Sequence, residues 1–401
     1  VTATTGTTTL RAGGTAPPRL PRAALLALAA AGFLAIVTET IPAGLLPQLA
    51  AGLSVSQSAA GQLVSLYAVG SVVAAVPLVA ATRRTNRKKV LLVAVLGLLV
   101  FNAVTAVAPW YPLILAARFL AGTAAALVWG VLAGYARRLV APSQQGRALA
   151  VSGIGQPIAL AVGVPLGTLA GSLVDWRWVI AAISLAAALL SIWIAAVVPD
   201  VPGRLSGTPE PLRRVVVLPG IRAVLLAALL WVLAHNILYT YIAPLLAGTR
   251  LRLDTGLAVF GVASIVGIVA TGAIIDRALR ATLLGALALV GAASLALANP
   301  GLGVLPVAVA VTVWGIGFGG APAVLQTALA DRAGEHTDAA QSVFVTVFNL
   351  AVAGGGLVGG SVLAAGATAP ALAWTALALT ILAVLVVVAR KRAFPPGPRD
   401  T

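Results

Sequence analysis

Long apolar runs alternate with short polar or Pro/Gly-rich breaks along almost the whole chain. A helix that crosses a bilayer needs ~20 consecutive apolar residues. Runs of that length fall at about 23–46, 57–81, 89–108, 112–135, 148–172, 178–198, 222–246, 256–275, 281–299, 303–329, 341–365 and 370–390. They are continuous, without the two-residue alternation of an outer-membrane barrel, so the pattern predicts an all-α membrane protein with twelve transmembrane helices. The narrowest splits are Asn299-Pro300-Gly301 and Gly366 to Pro370. The longest interior break, Pro199 to Ile221, is Pro-rich and divides the spans six and six. The expected organisation is a disordered tail (1–22), a six-helix bundle (23–198), a central loop (199–221), a second six-helix bundle (222–390) and a second tail (391–401).

Internal similarity supports two halves. Placing Arg84 against Arg277 gives an offset of 193, and the same offset carries Gly163 to Gly356 and Gly167 to Gly360, in spans five and eleven. Parallel repeats of this kind place a binding site near the midplane, between the halves.

Composition strengthens the membrane reading. The chain is 60% hydrophobic and 9% charged, against about 25% charged in a soluble domain. It has no Cys, which excludes disulfides and thiolate metal sites. No P-loop and no HExxH motif occur, so neither a cofactor, a metal nor an enzymatic activity is expected.

A net charge of +16 would suggest nucleic acid in a soluble protein, but here the location of the charges says otherwise. With both termini cytoplasmic, the loops and tails on that side carry 22 Lys and Arg, the opposite side carries 3, and one, Arg118, lies within a span. That asymmetry is the positive-inside rule. No nucleic-acid partner is expected; the lipid bilayer is. Trp110, Tyr111, Trp176 and Trp178 fall at predicted outer span ends, where amphipathic rings prefer to sit.

Three ionisable side chains lie inside the spans: Glu39, Arg118 and His235. A charge near the bilayer centre costs about 2.5–3.5 kcal/mol on insertion scales, so each needs a partner or a use. At ~1.5 Å per residue, Glu39 and Arg118 both lie roughly 10 Å from the outer end of their spans, so a pair between spans one and four is geometrically possible. Such a pair is either a register-holding ion pair or a titrating carboxylate beside a fixed cation, since arginine does not release its proton. Burial and a neighbouring cation act on a carboxyl group in opposite senses, which suits Glu39 to proton exchange. Tyr67, Gln156, His235, Asn236, Tyr239, Phe348 and Asn349 fall near mid-span and suit a mixed polar and aromatic substrate cavity, or helix-packing hydrogen bonds. Pro157, Pro165, Pro244 and Pro322 mark expected bends. The basic turn Arg83 to Lys89 serves topology, or a latch onto helix C-termini on the same face.

The stretch T-E-T-I-P-A-G-L-L-P-Q-L-A (Thr38 to Ala50) resembles a signature of sugar, nucleoside and chloramphenicol effluxers. L-A-A-R-F-L-A-G (Leu115 to Gly122), G-V-P-L-G (Gly163 to Gly167) and Y-T-Y-I-A-P-L-L (Tyr239 to Leu246) resemble motifs of spans four, five and seven in the same group. Together they resemble the twelve-span drug/proton antiporter branch of the major facilitator superfamily, over residues 20–392. The resemblance implies two pseudo-symmetric six-helix bundles around a central cavity, in a bacterial inner membrane. It implies proton coupling through Glu39 and Arg118, and gating through Arg84, Arg87, Lys88, Gly163, Pro165, Gly167, Asp276 and Arg277. The loop motif between spans two and three is degraded: its Asp position is Arg83, and its glycine positions are Val79 and Asn86. The second half keeps Gly272, Asp276 and Arg277.

The expected function is proton-coupled efflux of a small amphiphilic molecule by a monomer. A proton-coupled importer on the same fold and a non-transporting membrane sensor are the alternatives.

Overall fold

In the computed structural model of the chain, residues 20–82, 84–141, 144–203, 216–299, 301–391 and 393–394 are described. Among them, twelve helices are long and apolar enough to cross a membrane. Span one is Arg22–Gly44, two Gln57–Ala81, three Arg87–Val107, four Tyr111–Arg138 and six Trp176–Val197. Span five is segmented: Gln145–Gly153, Gly155–Ile158, a π-helical turn Ala159–Gly163, and Val164–Leu173. Span seven is Ile221–Thr240 continued by Ile242–Ala247, and span ten is Val304–Gly319 continued by Ala321–Ala333. Spans eleven and twelve are Thr337–Ala364 and Ala369–Ala389.

Local chemistry sets the ends and breaks. Ser56, Asn86 and Asp175 cap spans two, three and six, each side-chain oxygen accepting a first-turn backbone N–H. Proline cannot donate to the carbonyl four residues back and crowds it. Accordingly span seven breaks at Tyr241 before Pro244, span ten at Gly320 before Pro322, and span five follows Pro157 with its π turn. Spans eight and nine differ from the expected loop: they form one helical run, Leu253–Leu297, kinked at the single residue Ala278 (φ −154°, ψ 56°). Ile275 to Ala281 contains neither Gly nor Pro, so only one residue leaves helical geometry to turn the chain.

Spans one to six pack on one another, as do spans seven to twelve. Small residues let the helices meet closely. Gly163, Gly167 and Gly171 of span five lie over Val37, Ile41 and Leu45 of span one, four residues apart on both helices. Spans two and four cross backbone to backbone: a Cβ at Gly122 would lie 1.9 Å from the Tyr67 carbonyl oxygen.

The halves meet through spans two and eleven, and through spans five and eight. Ser58 Oγ donates to the Gly360 carbonyl (2.7 Å), Gln62 Nε2 to Gly356 (3.3 Å), and Tyr241 Oη to Gly356 (2.8 Å) and Ser58 (3.5 Å). These bonds lie at the end of the bundle remote from the basic loops. Toward the basic end, segment Gln145–Gly153 packs on spans one and four, and the rest of span five packs on spans one and eight. Gly134, Gly153 and Gly272 have open space beside their Cα atoms. The side-chain bonds that join the two halves thus lie at the end remote from the basic loops.

Gly122→Val should destabilise the bundle, because its side chain meets backbone rather than a movable side-chain tip; overpacking of this kind costs about 1–3 kcal/mol. Gly134→Ala should leave stability unchanged. Thermal melting of the two purified variants in detergent checks the contrast.

Candidate functional site

Glu39 lies three residues before Pro42, which has no N–H for the Thr38 carbonyl, so span one is locally loosened beside the carboxylate. Thr38 is fully buried, and its Oγ accepts a hydrogen bond from Asn102 Nδ2 of span three at 3.1 Å. Glu39 itself is 9% exposed and Arg118 2%. The two charges act on each other electrostatically, and both act on Tyr67.

They do not form a direct ion pair. Arg252 and Asp254, at the start of span eight, do form one, at 2.8 Å. Arg118 instead donates from Nε to the Leu63 carbonyl (3.0 Å) and from Nη2 to the backbone carbonyl of Glu39 (3.3 Å). Its guanidinium lies 4.7 Å from the centre of the Tyr67 ring, and Tyr67 Oη donates to the Ala35 carbonyl at 2.9 Å. One cation thus holds spans one, two and four together through backbone oxygens. The Glu39 carboxyl group stays inside that cation's field with its oxygens uncommitted to an ion pair. Asn102 and the Leu63 carbonyl were not foreseen from the sequence; the signal for Asn102 was an amide in mid-span three.

The second half is built differently. His235 of span seven is buried and stacked on Phe318 of span ten, 3.4 Å between centroids at 5°. Phe260, Trp314 and Tyr239 complete the cluster within 5.6 Å of the imidazole centre. Trp314 Nε1 donates to His235 Nδ1 at 3.1 Å. An indole N–H is only a donor, so Nδ1 is the accepting nitrogen and the ring is the neutral tautomer protonated on Nε2. The Tyr239 hydroxyl is buried without a hydrogen-bond partner. Phe260, Trp314 and Phe318 are also additions to the sequence reading; as apolar residues in apolar runs they carried no separate signal.

The remaining expected substrate residues are dispersed. Asn236 turns its amide onto the Val232 carbonyl (2.9 Å) and packs against Gly355. Gln156, Phe348 and Asn349 are half-buried on spans five and eleven, Phe348 lying 6.0 Å from Phe344 and Asn349 donating to the Val345 carbonyl. Tyr67, His235, Asn236 and Tyr239 are thus packed within the two halves in this conformation, and the three half-buried residues are the ones with open surface.

Of the expected gating groups, Gly163 and Gly167 lie on the face of span five that meets span one, and Pro165 is buried in the first turn of segment Val164–Leu173. Lys88 Nζ donates to the Ala195 carbonyl in the last turn of span six (2.8 Å), Arg87 N–H to Val201 (2.8 Å), and Asn86 Nδ2 to Asp200 (2.8 Å). The basic turn is therefore fastened within its own half. Arg84 and Arg277 are exposed; Arg83 and the Asp276 side chain lie outside the described residues.

A profile of the Major Facilitator Superfamily matches residues 28–356. A chloramphenicol efflux pump of Mycobacterium tuberculosis is 34% identical over 382 residues, covering 90% of each chain. A purine ribonucleoside efflux pump of Shigella sonnei is 28% identical over 328 residues, covering 81% of this chain and 83% of that protein. Two solved structures share the fold. A bacterial homologue of the human lysosomal transporter Spinster, inward-facing and unoccupied, has a TM-score of 0.65 at 14% identity, covering 94% of this chain and 97% of that one. A POT family transporter in complex with 5-aminolevulinic acid has a TM-score of 0.73 at 12% identity, covering 92% and 96%.

Arg118→Lys should weaken the three-helix junction, because an ammonium is a point donor and not a fork. Losing one hydrogen bond made by a charged donor costs about 1.5–3 kcal/mol. The variant should melt several degrees lower than the parent in the same detergent, a difference read by differential scanning fluorimetry.

Proposed function

We propose that this chain, which belongs to the Major Facilitator Superfamily and is a multi-pass membrane transporter rather than an enzyme, exports a small amphiphilic molecule in exchange for protons by alternating access. The observation that carries the reading is the placement of Glu39: a carboxyl group buried in mid-span, coupled to a fixed cation, with no ion pair to hold it charged. Deprotonated Glu39 attracts the Arg118 guanidinium; protonation removes that attraction and leaves Arg118 on its two carbonyls. Because one of those carbonyls is the backbone of Glu39 itself, the change is felt directly where span one meets spans two and four.

The excess of Lys and Arg at one end supports a cytoplasmic location for that end and for both termini, in a bacterial inner membrane. On that orientation the cleft opens to the cytoplasm and the Ser58–Gln62–Tyr241 contacts seal the outer side. Export requires those contacts to part while the basic end closes.

For the substrate, Gln156 of span five and Phe348 and Asn349 of span eleven offer amides and a ring from the two halves. Two relatives act on chloramphenicol and on purine ribonucleosides, each an aromatic ring bearing a hydroxylated arm. A molecule of that shape suits the same mixture of side chains. The driving force suffices: one charge moved through 100 mV is worth about 2.3 kcal/mol, roughly a fifty-fold gradient.

Glu39→Gln should abolish pH-driven export while the protein still inserts and folds. Reconstituted vesicles with an imposed pH gradient report it, and undiminished flux would dismiss the coupling role. The sequence contains no cysteine, so a Ser58→Cys/Gly360→Cys pair is free of background thiols. Its oxidation should arrest transport and reduction should restore it; flux that continues through the cross-linked form would show that this seal need not open.

A further inference from the structure

A lipid-facing groove of about 240 Å³ runs between spans nine and twelve. Leu287, Gly291 and Leu295 line it on one side, and Leu377, Ile381 and Leu385 on the other. Its one hydroxyl, that of Thr380, is turned onto the Ala376 carbonyl at 2.8 Å, so the wall is apolar throughout. The missing side chain at Gly291 makes the depth. A Cβ there would meet Thr380 Cγ2 at 3.7 Å and Leu377 Cδ1 at 3.8 Å, ordinary contact distances.

The groove leads toward charge. Residues seven and eleven apart share a helix face, which places Arg280 above Leu287 and Gly291 on span nine, and Val388 beyond Leu377 on span twelve. Arg280 Nη2 donates to the Val388 carbonyl at 3.1 Å, bridging the two helices at the mouth of the seam. Arg277, Arg390 and Lys391 are exposed at the same end. In sequence, residues 275–281 and 386–391 at these two helix ends hold four cations, Arg277, Arg280, Arg390 and Lys391, and one acid, Asp276. From Arg280 to Gly291 is eleven residues, about 16 Å along the helix, close to half of a ~30 Å hydrocarbon core.

We propose that this seam binds an anionic phospholipid, the phosphate held by Arg280 with Arg390 and Lys391, and one acyl chain laid in the groove past Gly291. A basic pocket between helices is a fitting seat for a phosphate headgroup. The apolar furrow one leaflet deep below it argues for a lipid rather than a free phosphate.

The test is native mass spectrometry of the purified protein, loaded with phosphatidylglycerol or with phosphatidylcholine of identical acyl chains. The parent should retain phosphatidylglycerol preferentially at collision energies that strip phosphatidylcholine. Each basic residue contributes about fivefold, so Arg280→Gln/Lys391→Gln should lower retention of phosphatidylglycerol roughly twenty-five-fold. Gly291→Leu, which fills the groove without meeting backbone, should lower retention of both lipids. Equal retention of the two lipids by the parent, full retention in Gly291→Leu, or displacement by glycerol phosphate alone would each overturn the proposal.

Discussion

A guanidinium buried among helices keeps its proton and must have its charge and donors answered inside the bundle. Arg118 meets that demand with the backbone carbonyls of Leu63 and Glu39 and the face of Tyr67. The consequence is architectural. Satisfied by backbone, the arginine ties spans one, two and four together without a direct ion pair to the Glu39 carboxylate.

Close helix contact supports this junction. Span two crosses span four at Gly122 near enough that the Tyr67 backbone fills the space of a side chain, which carries the Tyr67 ring under Arg118. Span five lies in the same manner along span one, its small residues matched to Val37, Ile41 and Leu45. Such faces hold each half as a unit. The contacts between halves are of another kind. Ser58 and Gln62 donate to span-eleven carbonyls, and the Tyr241 hydroxyl, held on Gly356 within its own half, also lies 3.5 Å from the Ser58 carbonyl. Parting them would leave each helix intact, as the proposed exchange cycle requires.

The two halves share an outline and differ in chemistry. The first places its ionisable groups beside one another, and the second surrounds its lone span histidine with rings. Trp314 occupies the Nδ1 acceptor of His235 and Phe318 covers its face, so this imidazole is a packed component of the second half in the present conformation. The ionisable pair and the ring cluster thus lie in different halves, and Gln156, Phe348 and Asn349 are half-buried on spans five and eleven.

Twelve spans, their order and the basic end were legible in the amino-acid sequence, because bilayer thickness and backbone desolvation act on each run independently of its neighbours. The same holds for the proline breaks near Tyr241 and Gly320, and for Glu39 and Arg118 as the groups needing an explanation. Only the tertiary structure decided what those groups meet. That Arg118 addresses carbonyls, that Asn102 holds Thr38, that His235 is enclosed by Phe260, Trp314 and Phe318, and that Lys88 fastens to span six within its own half all depend on helix rotation and crossing. Rotation and crossing are set by the shapes of contacting faces, and a phenylalanine in an apolar run looks the same whether it faces lipid, a neighbour or a histidine.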